Sequence, residues 1–463
     1  MNATQPVNLE RSPSPGQSHD PQHRSTSGAI LELLAGPVAQ RDFAVGWWDG
    51  SVDAPGASTA RFTLVLNRPG ALRRMLLPPT ELNIAESFIR QDFDVEGDLE
   101  AALGLDASFR AAGSPANIAR LVPMLRSLPT DDLPPDAVLE RPRPGLSGHV
   151  HSKTQDATDV RSHYDLGNDF YALFLDSRMV YSCAYFETGA EDLDTAQAAK
   201  LELTCRKLRL RPGQRLLDIG CGWGGLVIHA AQHHGVHATG ITLSERQAEL
   251  ARERVKQAGL EDLVKIEVCD YRDLKPGTRF HKIVSVGMVE HVGRPNIRAY
   301  FETAHQLLEP GGVFLCHGIV EARTTLPPVP RLIERLTWRR TSFLHHYIFP
   351  GGEVLYPSEL LAAAEASGFE PRDLESLSEH YALTARHWWR RLEANREEAI
   401  KLVGEPTYRA YRLYLAAVIR TFKTRVNGLT QILLSKPMDG GSSGLPLTRT
   451  DWYTGESDSS RAS

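Results

Sequence analysis

The string Leu217-Asp-Ile-Gly-Cys-Gly-Trp-Gly-Gly225 holds the residues best placed to do chemistry, a carboxylate followed by alternating glycines. Ahead of it, Arg215-Leu-Leu-Asp-Ile219 reads as a short strand; behind it, residues 226–233 read as a helix. A strand that ends in glycines at a helix start lets the backbone approach a ligand closely. Dinucleotide-binding folds and methyl-donor folds both use such turns. Asp218, two residues ahead of Gly220, repels a pyrophosphate and suits a ligand with a cationic amino-acid group. Gly222 continues the same turn. The next strand, His237-Ala-Thr-Gly-Ile241, runs into Thr242 and Leu243 and lacks the acid expected for a nicotinamide cofactor's ribose. Cys269-Asp-Tyr271 closes a third strand, where Asp270 can accept from an adenine amino group. These residues favour S-adenosylmethionine as the cofactor. An NAD-dependent oxidoreductase is the competing enzyme reading.

The elements that must position this turn alternate between strand and helix. Lys265-Ile-Glu-Val-Cys269, Lys282-Ile-Val-Ser-Val286 and Gly312-Val-Phe-Leu-Cys316 read as further strands, and residues 244–258 as a strong helix. Repeated strand–helix–strand units predict an α/β, Rossmann-like domain over residues 150–437 with ligands at the strand carboxyl ends, and S-adenosylmethionine as its ligand would make it a class I methyltransferase domain. Upstream, Arg61-Phe-Thr-Leu-Val-Leu-Asn67 reads as a strand, residues 69–77 as a short helix and residues 81–90 as an amphipathic helix. They predict a smaller N-terminal α+β domain over residues 29–127. A linker rich in Pro and Gly follows over 128–149. Residues 1–28 and 438–463 are polar and rich in Ser, and are expected to be disordered tails.

The chain has 463 residues, 41% of them apolar and 24% charged, which is a globular balance. Its 52 Lys and Arg against 57 Asp and Glu give a net charge of -5 and argue against nucleic acid as a partner. No apolar run reaches the ~18–20 residues of a spanning helix, and the first 28 residues lack a signal peptide's apolar centre. The five cysteines show no paired spacing, so neither a disulfide framework nor a metal site is expected. The expected location is cytoplasmic, with any membrane contact peripheral.

Longer strings carry a family resemblance. Asp92-Phe-Asp-Val-Glu-Gly-Asp98, His163-Tyr-Asp-Leu-Gly-Asn-Asp-Phe-Tyr171, Met179-Val-Tyr-Ser-Cys-Ala-Tyr185, Gly240-Ile-Thr-Leu-Ser244, Gly287-Met-Val-Glu-His-Val-Gly293 and Tyr347-Ile-Phe-Pro-Gly-Gly352 join the glycine turn in this. Together they resemble cyclopropane-fatty-acyl-phospholipid synthases, over roughly residues 60–437. The resemblance implies transfer of a methylene unit from S-adenosylmethionine to a cis double bond in a phospholipid acyl chain. It implies that Tyr181 and Ser182 flank the methionine moiety, that Gly220 and Gly222 line it, and that Thr242, Leu243 and Gln247 lie along the ribose.

An alkene is a poor nucleophile, so the sulfonium must drive the reaction with the double bond held in line. Transfer leaves a carbocation, and a proton must then leave the delivered methyl group to close the ring. That step needs a base in a dry pocket. The resemblance implies that the base is bicarbonate. It would be held by the side chains of Glu290, His317 and Tyr381 and by backbone groups of Cys183 and Ile319. An imidazole and a phenol can donate to an oxyanion. Cys183 is not expected to act as a nucleophile: no base adjoins it in sequence, and the family's late cysteine corresponds to Val418. No chemical step is assigned to His163, Tyr164 or His291. Loss of a different proton, or a hydride shift, would give a methylene or methyl branch. A small-molecule amine N-methyltransferase and a non-catalytic lipid-binding protein are the remaining readings.

An acyl double bond lies deep in a bilayer, so the expected partner is a phospholipid surface with unsaturated chains. Residues 331–340 set Arg331, Arg335, Arg339 and Arg340 among Leu332, Ile333, Leu336 and Trp338, followed by Phe343 and His345-His-Tyr347. This mixture suits an anionic surface. Arg386-His-Trp-Trp-Arg-Arg391 is the second candidate. The small domain's family counterpart suggests a part in orientation or dimerisation, which leaves a homodimer open.

Overall fold

The computed structural model describes residues 21–55, 60–105, 114–130, 152–153, 155–156, 158, 166–275, 277–322 and 342–454. The chain divides into two compact units. One is drawn from Met1–Arg143, Pro328–Ile348 and Val403–Arg420, the other from Pro144–Pro327, Phe349–Leu402 and Thr421–Ser463.

The smaller unit is built on a four-stranded sheet of order β2-β1-β3-β4. Its strands are Phe43–Gly46 (β1), Val52–Asp53 (β2), Phe62–Leu66 (β3) and Phe93–Gly97 (β4). β1 and β3 run parallel, while β2 and β4 run antiparallel to their neighbours. The helix Glu81–Ile89 starts at Thr80, whose hydroxyl accepts the Asn83 N–H at 3.1 Å. This unit is not purely N-terminal, as the predicted boundaries had it. Arg409, far along the chain, is buried on it, donates to Phe88 O, Phe93 O and Asp94, and lies 4.2 Å over the Phe88 ring. The expected N-terminal tail is also shorter. The helix Pro21–Ala35 begins inside it, because Ile30, Leu31 and Leu34 bury one face and the helix runs on upstream from them.

The larger unit holds a seven-stranded sheet of order β10-β11-β9-β8-β5-β6-β7. The strands are Arg215–Ile219 (β5), His237–Thr242 (β6), Val264–Val268 (β7), Phe280–Val286 (β8), Leu308–Glu321 (β9), Glu370–Ser376 (β10) and Asn427–Ser435 (β11). β9, β8, β5, β6 and β7 are mutually parallel, and β11 is antiparallel to both of its neighbours. The chain leaves β5 for β6 on one side and reaches β8 on the other. This reversal opens a crevice at the carboxyl end of β5.

Alternate residues on each strand feed two cores. Leu216, Val284, Leu315 and Leu433 pack under the helices Leu193–Leu208, Gly225–His234 and Glu245–Gln257. Leu217, Ile283, Phe314 and Ile432 pack on the other face against Ile297–Leu307 and Pro357–Ala366.

The expected C-terminal tail is structured through residue 454. Trp452, 3% exposed in the helix Thr450–Thr454, joins the first of these cores. Arg209 grips Asp451 with two hydrogen bonds of 2.7 and 3.1 Å, and Lys207, Arg209 and Arg449 crowd the Trp452 indole. One large aromatic side chain among cations is enough to dock a polar segment.

Two segments were predicted to face lipid. Residues 331–340 lie outside the described residues. Phe343, His345 and Tyr347 are buried, and the Tyr347 hydroxyl donates to Glu86 at 2.9 Å, so they serve a core and not a surface. In the second segment Trp388 is fully buried, and Arg391 is tied to Leu175 O and Asp194. No helix among the described residues is long and apolar enough to cross a membrane.

Candidate active site

The turn after β5 is forced open by its glycines. Gly220, Gly222 and Gly224 have φ of +86°, +53° and +80°, a region that side chains disfavour. The N–H groups of Gly220 and Cys221 both donate to Ile241 O at 2.9 Å, which pins the turn over β6. Gly240 is required on β6 for the same contact, since a Cβ there would lie 2.8 Å from Cys221 Sγ.

A pocket opens above this turn, and all ten predicted cofactor residues line it: Tyr181, Ser182, Asp218, Gly220, Gly222, Thr242, Leu243, Gln247, Asp270 and Tyr271. Ser244 caps the helix Glu245–Gln257, which aims Gln247 at the pocket, and the Thr242 hydroxyl donates to Gln247 Oε1 at 2.8 Å. Asp270 is not a lone acceptor. Burial raises its carboxyl, but the Arg272 guanidinium grips it at 2.6 and 2.8 Å and holds it below the usual range. Asp156 holds Arg272 in turn at 2.9 Å.

Lys200 lines the same pocket and was not found from the sequence. Its ammonium donates to the Ser182 hydroxyl at 3.0 Å. On the same helix, Gln197 Nε2 donates to Ser182 O at 2.8 Å and to Val180 O at 3.3 Å. The helix therefore grips the segment that carries Tyr181. Burial pushes the Asp218 carboxyl up to about 7 against the pull of Lys200, and pushes Lys200 down to about 8. The available signal was positional: Gln197, Lys200, Thr204 and Lys207 follow a 3–4 spacing on a buried helical stripe. His291 also lines the pocket; His163 and Tyr164 lie outside the described residues.

The five residues assigned to the base lie on the segments around β9, β11 and the helix Ser378–Ala394. Glu290 reaches the backbone of β9, where its Oε1 accepts the Ile319 N–H at 2.6 Å. Gly318 makes room for it, as a Cβ there would lie 2.2 Å from Val289 Cγ1 and 3.5 Å from Glu290 Oε1. The Ile319 N–H is thus engaged by Glu290 in this structure. Burial pushes the Glu290 carboxyl up to about 7, with that N–H opposing, and its Oε2 is buried without a hydrogen bond. His317 is buried as well. Burial, with the nearby Lys200 and Lys207 ammonium groups, pushes its imidazole down to about 3, and its Nε2 has no hydrogen-bond partner.

Tyr381 packs 4.6 Å from Phe422 and 5.9 Å from Trp388, and Trp388 packs 5.1 Å from Tyr181. An aromatic chain thus runs from the cofactor pocket to Tyr381. Cys183 sits at the same seam. Its thiol meets Ala184 O at 3.2 Å and Leu377 O at 3.8 Å, and Leu377 O also accepts the Tyr381 N–H. Burial pushes the Cys183 thiol far up, which leaves it inert as a nucleophile.

A parallel sheet that reverses at a glycine turn, with a buried acid at that turn and a second acid closing β7, defines an S-adenosylmethionine-dependent methyltransferase with a class I fold. A family model described as mycolic acid cyclopropane synthetase matches residues 151–432, and the chain belongs to this family. A probable fatty acid methyltransferase of Pseudomonas putida is 37% identical over 406 residues, covering 88% of this chain and 95% of its own. The cyclopropane-fatty-acyl-phospholipid synthase of Escherichia coli K12 is 38% identical over 281 residues, covering 61% of this chain and 68% of its own. The crystal structure of a mycolic acid cyclopropane synthase complexed with SAH and CTAB matches with a TM-score of 0.56 at 35% identity. That match covers 60% of this chain and 97% of the other.

Proposed function

We propose that this enzyme transfers a methylene unit from S-adenosylmethionine to the cis double bond of an unsaturated phospholipid acyl chain, forming a cyclopropane ring. The observation that carries the reading is the pair of buried, unsatisfied atoms Glu290 Oε2 and His317 Nε2. Buried polar atoms without partners are costly and mark places built for a ligand. The E. coli relative's name supplies the substrate class.

S-adenosylmethionine brings an electrophilic carbon that an unactivated alkene can attack. Tyr181 and Ser182 flank its methionine moiety, Gly220 and Gly222 let it approach the backbone, and Gln247 and Thr242 hold the ribose side. A neutral His317 offers one N–H, and Glu290 offers a carboxyl poised between its two protonation states near pH 7. This donor set fits a small oxyanion such as bicarbonate, which would supply the base for ring closure. His317 and the Tyr381 hydroxyl would hold it, and Glu290 would take its hydroxyl proton. The aromatic wall of Trp388, Phe422 and Tyr381 keeps water from the cation. The acyl chain comes from a bilayer on which the enzyme docks peripherally.

A methyl- or methylene-branched product is the second reading, because relatives from P. putida and Mycobacterium tuberculosis are named probable fatty acid methyltransferases. The test incubates the protein with labelled S-adenosylmethionine and vesicles of unsaturated phospholipid. Mass spectrometry detects a gain of one CH₂, and proton NMR separates ring protons from a branch. Acyl chains left unlabelled would overturn the lipid reading; a labelled branch would replace the ring.

A further inference from the structure

The helices Leu193–Leu208 and Gly225–His234 meet through a cluster with no part in the chemistry above. Glu202 Oε2 lies 3.2 Å from His229 Nε2 and 3.1 Å from His234 Nε2. The fully buried thiol of Cys205 sits one turn beyond Glu202. The ligand atoms of Cys205, His229 and His234 all lie within 4.8 Å of one another. From these positions we infer that Cys205, His229, His234 and Glu202 form a binding site for a divalent zinc-class metal ion that clamps the two helices together.

The donor set is one thiolate, two imidazoles and one carboxylate, the borderline-soft mixture that zinc takes in four-coordinate sites. Tetrahedral zinc has ligand bonds of about 2.0–2.3 Å, which puts neighbouring donor atoms roughly 3.3–3.7 Å apart. The two carboxylate–imidazole separations are already close to that edge, and the thiol lies within 4.8 Å of both imidazoles. Arg206 supplies the outer support, its Nε donating to Glu202 Oε1 at 2.7 Å and turning Oε2 towards the imidazoles.

The plain alternative is a carboxylate that accepts one N–H from each imidazole. It accounts for Glu202, His229 and His234, and leaves Cys205 as a small side chain of the core under these helices; a thiolate–metal signal separates the two arrangements. The clamp would also bear on the enzyme's scaffold. The first helix carries Lys200 and Gln197 at the cofactor pocket, and the second starts at the glycine turn.

The test uses the full-length, untagged protein, stripped with a chelator and titrated with cobalt(II) as the spectroscopic probe and then with zinc. The expected result is one tightly bound equivalent, with the thiolate-to-cobalt band and intense visible bands of four-coordinate cobalt, displaced by zinc. Cys205→Ser should lose the thiolate band, and His234→Gln should weaken binding at least tenfold. Because Cys205 is buried, S-adenosylhomocysteine binding serves as the check on folding for each variant. If Cys205→Ser fails that check, the partly exposed Glu202→Gln and His234→Gln decide. Sub-stoichiometric binding, or a cobalt spectrum that these variants leave unchanged, overturns the site.

Discussion

Gln431 faces His317 directly across β11 and β9, with its amide nitrogen 3.3 Å from His317 Nδ1. Lys207 donates to the Gln431 carbonyl at 2.6 Å, so the amide nitrogen must turn to the imidazole. Nδ1 is then the acceptor, and the proton of the neutral ring sits on Nε2, the atom left without a partner. A lysine on one helix thus sets the tautomer of a histidine on the sheet. Gln431→Leu should lower turnover roughly 10–100-fold, the range seen when partners that orient a functional imidazole are lost. Binding of S-adenosylhomocysteine should stay unchanged, as followed by calorimetry. Equal turnover in the variant would show that the tautomer does not matter.

Glu290→Gln keeps the acceptor for the Ile319 N–H but removes the proton-accepting carboxylate. We expect turnover to fall by about 10²–10⁴, with cofactor affinity held within a few-fold. Single-turnover methyl transfer to unsaturated vesicles measures the first, and a binding titration the second.

The same substitution has a pH signature in stability. Burial raises the Glu290 carboxyl from its ordinary 4.5 to about 7 in the folded protein, so the native state holds the extra proton between these values. Its contribution is full below about 4.5 and is lost as the pH rises through 7. Relative to Glu290→Gln, the parent should lose stability over that window, by at most about 3 kcal/mol. Denaturant melts of both proteins at pH 5 and pH 8 measure the difference, and a gap that does not change with pH would contradict the burial argument.

Gly240→Ala should destabilise the protein by about 1–3 kcal/mol, because the new methyl meets Cys221 Sγ at 2.8 Å and Cys221 Cβ at 2.9 Å. Cys221 lines the pocket, so cofactor affinity should fall as well. Thermal melts with and without S-adenosylhomocysteine would show both effects.

Trp452→Ala should cost about 3–5 kcal/mol, the usual range for emptying a large aromatic site from a core. Urea denaturation would register it as a lower midpoint. An unchanged midpoint would return the segment to the disordered tail that its composition suggests.

The glycine turn, Asp218 and the alternation of strands and helices were legible in the sequence, because each is local. Glycines mark positive φ, short segments rich in Leu, Ile and Val mark the buried parallel strands, and Asp218 stands two residues ahead of the first glycine of the turn. Motif strings located the remaining residues that line the pocket because they too are contiguous. Lys200, the Lys207–Gln431–His317 relay and the Cys205–His229–His234 cluster were decided only by tertiary structure. Their members come from separate elements, and their meaning arises when burial strips away water and leaves one polar group facing another. The same holds for Trp452 and Tyr347, which composition placed in a tail or at a surface and packing placed in a core. Local sequence sets backbone shape, whereas desolvation and partner choice depend on which distant segments the fold brings within a few ångströms.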